Sequence, residues 1–209
     1  MIDNTSLTQA KIYASIQKKI RLGILKPGEK LSENNLAKEF NCSRTPVREA
    51  VKTLEQDGLV VIQPKSGTYV RVYTAEETKN AIEIRAYLEA LAFSLDIEKN
   101  VDITPLQECL KKMEEMAAQE EFDFTEFGQY HFKFHSLLVT LADNPFLTEL
   151  YEKLHLNTLY RVFFTPMSKK DILQTHIEHK QIVQYLTDKD QEGSNFIIHH
   201  LMKRRKQLK

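Results

Sequence analysis

The chain has little of what most function classes require. Its 209 residues include only two cysteines, six glycines and six prolines, and 29 Lys and Arg are matched by 29 Asp and Glu, leaving no formal net charge. So few glycines and prolines exclude a low-complexity chain, and a composition 42% hydrophobic and 28% charged is that of an ordinary globular protein of one or two domains. No stretch approaches the roughly 18 uncharged apolar residues of a membrane span. Met1-Ile2-Asp3-Asn4 lacks the basic and apolar regions of a signal peptide, so the expectation is a cytoplasmic protein with no membrane partner. Cys42 and Cys109 show neither metal-ligand spacing nor a disulfide framework, and reduced thiols are expected. Cys42 reads either as a small buried residue or, from its position, as a redox switch. A Gly-rich phosphate loop, a nucleophile elbow and a His-Glu-x-x-His motif are all missing, which argues against an enzyme.

The absent net charge conceals an asymmetry. Residues 1–73 hold twelve Lys and Arg against seven Asp and Glu, a balance of +5, and residues 74–209 hold 17 against 22, a balance of −5. Local positive charge is what phosphate binding needs, and an acidic second domain stays off the polyanion.

The basic part centres on Ser43-Arg44-Thr45-Pro46-Val47-Arg48-Glu49-Ala50. Ser43 suits an N-cap and Pro46 the first turn, while Val47, Ala50, Val51 and Leu54 repeat at helical spacing. The other face carries Arg44, Thr45 and Arg48, placed where a helix N-terminus meets base edges and phosphates in a major groove. The plainer reading is a surface helix with two solvated arginines. Upstream, residues 31–40 read as a short helix capped by Ser32, with Asn41-Cys42 as the tight link of a helix-turn-helix. Downstream, Gly58 ends the helix, and residues 59–62 and 68–72 read as two strands of a wing around Gln63-Pro64-Lys65-Ser66-Gly67. Gly67 lets the wing backbone approach a phosphate, and Lys65 adds charge beside it. A first helix at about 6–22, striped by Ile12, Ile16 and Ile20, packs on this unit. Lys26-Pro27-Gly28-Glu29 is a turn signal.

On these residues the stretch from about Leu22 to Val72 resembles the winged helix of the GntR family of bacterial transcription regulators. The match runs through residues 23–33, Leu36-Ala37, residues 43–50, Leu54, Gly58-Leu59 and Gly67. The resemblance implies DNA contacts from Arg44, Thr45, Arg48 and Gly67. Some relatives have an arginine early in the preceding helix where this chain has Asn34, so a phosphate contact there would be uncharged.

From Glu76 onward the chain reads as helix throughout, at about 76–99, 104–118, 123–142, 145–164, 168–187 and 189–206. Ala81, Ile84, Leu88, Leu91, Ala92 and Leu95 stripe the first of these, Thr104 caps the second, and Asp143-Asn144-Pro145 breaks the third from the fourth. The expected fold class is mainly α: a winged helix-turn-helix DNA-binding domain over 1–73, then an all-α antiparallel six-helix bundle over 74–209. The bundle resembles the FCD ligand-binding and dimerisation domain of the FadR subfamily. The matching pieces are Glu83-Ile84-Arg85 with Leu88-Glu89 and Ala92, Phe134-His135, Ala142-Asp143-Asn144-Pro145, Arg161, and Glu178-His179 with Ile182. Six helices fit its shorter, VanR-like branch.

His131 and His135 lie four apart and therefore on one helix face, at core periodicity with Phe127, Phe134, Leu138 and Leu141. Such a pair is either a metal-ligand pair or two hydrogen-bonded core histidines. His179 and His199-His200 could converge with it across a bundle. The resemblance implies a metal held by an aspartate four residues before the Phe-His histidine, by that histidine, by the Glu-His histidine and by one histidine in the last helix. His135 and His179 match directly, and His131 stands in the aspartate's place. The last position is Leu201 without a gap or His200 with one, which also puts Gly193 at a small packing position; His200 is preferred. A divalent transition metal held by neutral imidazoles, zinc or nickel, would keep its charge and attract a small organic acid effector, with Arg85 and Arg161 as candidates to meet it. The plainer reading of each arginine is an ion pair with a helix carboxylate. His155 and His176 read as surface residues.

The expected function is a transcription regulator, a repressor that binds palindromic double-stranded operator DNA as a homodimer and answers to a carboxylate. The alternatives are a histidine-ligated metalloenzyme with a DNA-binding appendage and a regulator whose bundle only dimerises.

Overall fold

A computed structural model describes residues 4–21, 23–154 and 168–207. The chain divides into two compact units, Met1–Tyr73 and Thr74–Lys209. In the first, α1 (Asn4–Arg21), α2 (Glu33–Glu39) and α3 (Arg44–Gln56) accompany three short strands, β1 (Lys30–Leu31), β2 (Val60–Gln63) and β3 (Gly67–Val70). The isoleucine stripe of α1 is buried, Ile12 and Ile16 completely, against Val47, Ala50, Val51 and Leu54 of α3. Cys42 is half-buried and packs at the edge of this core. Ser32 caps α2, its hydroxyl accepting from the Asn35 N–H at 3.3 Å. Gly58 stops α3 in the left-handed region (φ +72°), with the Leu59 N–H returning to the Leu54 carbonyl at 2.8 Å.

The wing is a three-stranded antiparallel sheet in the order β1-β3-β2, with Val61 opposite Tyr69 and Lys30 on the other side of Tyr69. Sequence pattern predicts only β2 and β3. A two-residue strand has no periodicity to detect, and β1 exists because β3 presents a free edge to it.

The second unit is all-α among the described residues: α4 (Ala75–Lys99), α5 (Thr104–Ala117), α6 (Phe124–Leu141), α7 (Pro145–Lys153), α8 (Lys169–Asp188) and α9 (Glu192–Gln207). The predicted fourth helix continues into residues 155–167, which lie outside the described residues. Helix α4 packs on α6, α7, α8 and α9, and α5 packs on α6 and α8. Reciprocal capping boxes start α4 (Thr74, Glu77) and α8 (Ser168, Asp171). Thr104 is not the cap of α5. It is the first helical residue, and the Asp102 carboxylate accepts both its N–H (2.9 Å) and its hydroxyl (2.6 Å).

Helix α4 buries a different face from the one its apolar residues predict. Two of the predicted core residues, Ile84 and Leu91, are about half exposed, at 52% and 49%, as is Tyr87 at 59%. The buried face is Ile82, Arg85, Ala86, Glu89, Ala90, Phe93 and Asp96. Its polar members, Arg85, Glu89 and Asp96, break the apolar periodicity that predicts the stripe. At Gly193 of α9 an added Cβ would stand 2.1 Å from the Phe93 ring, so this crossing with α4 admits only glycine.

Candidate metal centre and nucleic-acid interface

Arg44, Thr45 and Arg48 are all exposed on the first turns of α3, opposite the buried Pro46, Val47, Ala50, Val51 and Leu54. Ser43 holds the N-cap position with extended backbone, but its hydroxyl makes no capping bond, so the first-turn amides are not used up by it. Arg48 Nε donates to Glu33 Oε2 at 2.9 Å, tying α3 to the start of α2 on the outer face. Asn34 is exposed beside Glu33.

The tip of the wing is a turn closed by the Ser66 N–H on the Gln63 carbonyl at 3.1 Å, with exposed Lys65 at φ +61°. Gly67 follows at φ +129°, where a side chain would be strained and its Cβ would meet Lys30 Cε at 2.9 Å. Lys30 therefore adds charge to the wing near Gly67, a contribution that pattern reading missed because it came with the unpredicted β1.

The bundle gathers four histidines. His131 and His135 point from the inner face of α6, His179 from α8 and His200 from α9, and all four are at most 5% exposed. One ring nitrogen from each lies within 4.8 Å of all the others. Zn–N bonds of about 2.1 Å would put opposed ligands about 4.2 Å apart, so the set, at up to 4.8 Å, is only slightly wider than a single coordination sphere. Next to His200, His199 is exposed, and Leu201 is buried in the apolar core. The last imidazole of the cluster is thus His200.

Burial pushes His131 and His179 well below the ordinary imidazole value, and the neighbouring imidazoles push the same way. In His135, burial outweighs the opposing carboxylate of Glu89 and brings the pKa down to about 4. Neutral rings with available lone pairs result, which is the protonation state a metal needs. His179 Nδ1 is buried with no hydrogen-bond partner.

Two carboxylates that sequence reading assigned no role hold these rings. Glu89, fully buried on α4, accepts from His135 Nδ1 at 2.6 Å, from Arg85 Nε at 2.5 Å and from the Tyr151 hydroxyl at 2.8 Å. Burial would raise its pKa, but Arg85 and then His135 bring it down to about 2. Glu178 accepts from His200 Nδ1 at 2.6 Å and from Lys203 at 2.8 Å. The spacing of Arg85 and Glu89 and the adjacency of Glu178 to His179 were visible, but only packing shows that the carboxylates reach the imidazoles.

Arg85 is 4% exposed, and one of its terminal nitrogens, Nη2, is buried without a hydrogen-bond partner. Arg161 and His155 lie outside the described residues. His176 is not a surface residue. It is 5% exposed, edge-on to Phe127, with both ring nitrogens unpartnered. It lies three residues before His179, one turn along α8, and shares that helix's buried face.

The family description "Bacterial regulatory proteins, gntR family" matches residues 8–70, and the FCD domain matches residues 80–204. The HTH-type transcriptional regulator YdhC of Bacillus subtilis (strain 168) is 31% identical over 199 residues, 92% of this chain and 87% of its own length. The gluconate operon transcriptional repressor of the same organism is 28% identical over 149 residues, 70% of this chain and 60% of its own. A GntR transcriptional regulator from Rhodococcus sp. RHA1 shares the fold, with a TM-score of 0.83 at 24% identity over 96% of each chain. These families and relatives are transcription regulators, not enzymes, which removes the metalloenzyme alternative. With a matching winged helix, a matching all-α domain and a relative that spans nearly its whole length, the chain belongs to the GntR family of DNA-binding transcription regulators, in the FCD-containing FadR subfamily.

Proposed function

We propose that this cytoplasmic regulator binds a palindromic operator as a homodimer, and represses until a small organic acid binds beside a divalent transition metal in the FCD domain. The observation that carries the reading is the convergence of His131, His135, His179 and His200 within 4.8 Å in the core. These four residues would hold the ion. Imidazole donors favour zinc or nickel over magnesium. A divalent ion among neutral imidazoles would supply a positive charge that an anionic ligand completes. The Arg85 guanidinium, with one terminal nitrogen unpartnered in the core, is suited to hold the acid by charge-assisted hydrogen bonds. The similarity to a gluconate operon transcriptional repressor supports repression.

On the DNA side, Arg44 and Arg48 read bases in the major groove, Thr45 and Lys65 hold phosphates, and Gly67 brings the wing backbone close. A homodimer follows from affinity: one winged helix buries too little surface for a regulator, and two-fold symmetry doubles its contacts on inverted half-sites. Exposed Ile84, Tyr87 and Leu91 on α4, with Phe146 and Leu150 on the adjacent α7, offer the apolar surface such a dimer needs. The four residues between Val70 of β3 and Ala75 of α4 form a link short enough to pass a shift of α4 to the DNA-binding unit.

Elemental analysis after zinc or nickel reconstitution, a thermal-shift screen of small carboxylates, light scattering and operator titration test the reading together. The expected result is stoichiometric metal, a dimer, and an acid that lowers operator affinity roughly 5- to 150-fold. No bound metal would leave a bundle that only dimerises. A saturating acid that depends on His135 yet leaves operator affinity unchanged would remove the switch.

A further inference from the structure

We propose that Glu89 and Glu178 are positioning residues of the metal centre, each holding one imidazole by its Nδ1–H so that Nε2 is the nitrogen offered to the ion. The inference rests on the metal reading above and extends it to residues outside the ligand set. His135 and His200 come from different helices and are fixed alike. Nδ1 of each lies 2.6 Å from a glutamate oxygen, and the two rings stack, their planes 19° apart and their centroids 5.7 Å apart. An ionised carboxylate can only accept, so each Nδ1 carries the proton that faces it, and in the neutral ring a metal requires Nε2 is then the nitrogen with the lone pair. In His135 that Nε2 faces Nε2 of His179 at 3.1 Å, inside the cluster. A ligating histidine whose other nitrogen donates to a carboxylate is fixed in tautomer and orientation and is the more basic ligand.

The two carboxylates are themselves held. Arg85 Nε and the Tyr151 hydroxyl both donate to Glu89 Oε1, leaving Oε2 for His135. Lys203 Nζ donates to Glu178 Oε1, leaving Oε2 for His200. Each glutamate thus gives one oxygen to its anchor and the other to an imidazole. Since Glu89 sits on α4 and Tyr151 on α7, the orientation of His135 depends on three helices at once.

The test uses the full chain, with zinc affinity from chelator competition, the visible spectrum of bound cobalt(II), and ¹⁵N NMR of the histidine rings without metal. Glu178→Gln is expected to weaken zinc roughly 10- to 100-fold, to shift the cobalt(II) bands, and to replace the single His200 tautomer with a mixture. Glu89→Gln is expected to do the same at His135. Because it leaves Arg85 buried without its carboxylate, Arg85→Met combined with Glu89→Gln provides a second variant that removes both charges. Glu178→Asp, which keeps the carboxylate, should regain part of the lost affinity where Glu178→Gln does not. If Glu178→Gln and the folded double variant bind zinc as tightly as the wild type with unchanged spectra, the positioning role is overturned. If the wild type itself binds no zinc or cobalt(II), the metal reading fails instead, and this inference with it.

Discussion

The winged-helix unit and the bundle place their functional groups on opposite sides of their surfaces. In the first, the core is apolar apart from Thr68, and Arg44, Thr45, Arg48 and Lys65 stand in solvent. In the second, Arg85, Glu89, Asp96 and five histidines are buried while Ile84, Tyr87 and Leu91 face outward. DNA reading needs exposed donors, so stability and function separate in the winged helix. The proposed site for an ion and a small anion needs exclusion from water, and there the groups that would bind are the groups that pack.

The largest test of this contrast sets one ion pair against another. Arg85→Ala should cost about 3–5 kcal/mol in urea unfolding of the bundle, because Glu89 is left buried and uncompensated. Glu33→Ala, which breaks the exposed pair with Arg48, should cost about 0–1 kcal/mol. Equal costs would mean that the buried network is not closed.

Acid should then separate the two units. Folding depresses the His135 pKa from 6.5 to about 4. Its contribution to stability is therefore complete above pH 6.5, where both states are neutral. As the pH falls from 6.5 to 4, the unfolded chain binds a proton that the fold refuses, which costs about 3 kcal/mol by the lower limit. Residues 1–73 contain no histidine, so the winged helix should keep its stability through that window. Hydrogen exchange resolved by unit, from pH 7 to pH 4 without metal, would show bundle amides losing protection first, and bound zinc should delay the loss.

Arg44→Ala and Arg48→Ala test the other side. Each should cost about 1–3 kcal/mol of operator affinity and relax sequence preference, with stability to urea unchanged for Arg44→Ala and lowered by no more than about 0–1 kcal/mol, the worth of the Glu33 pair, for Arg48→Ala. A larger loss of stability in either variant would show that this face is not independent of the core. Lys65→Ala should have the smallest effect, weakening binding evenly across sequences and reducing the salt slope by about one.

Legibility in the sequence followed the same division. Ser32, Pro46 and Gly58 mark their helix boundaries through local chemistry, and the alternation of Val47, Ala50, Val51 and Leu54 with Arg44, Thr45 and Arg48 identifies an amphipathic helix with a basic face. The pattern misled where a core is polar. Apolar periodicity points Ile84 and Leu91 inward, yet α4 turns Glu89 inward to meet His135 and Arg85 inward to meet Glu89. His176 is the converse, a polar residue outside any recognised motif that the fold buries.

The order of elements, the basic unit before the acidic one, the exposed basic face of α3 and the spacing of His131 and His135 were determined by the sequence alone, since each depends on neighbours within a few positions. Tertiary structure decided what depends on contacts between distant segments. It paired β1 with β3, brought Lys30 beside Gly67, and put His200 rather than Leu201 among the imidazoles. It also placed Glu89 and Glu178 behind His135 and His200. A buried carboxylate is retained only when donors from other helices satisfy it, and no local pattern specifies which donors those are.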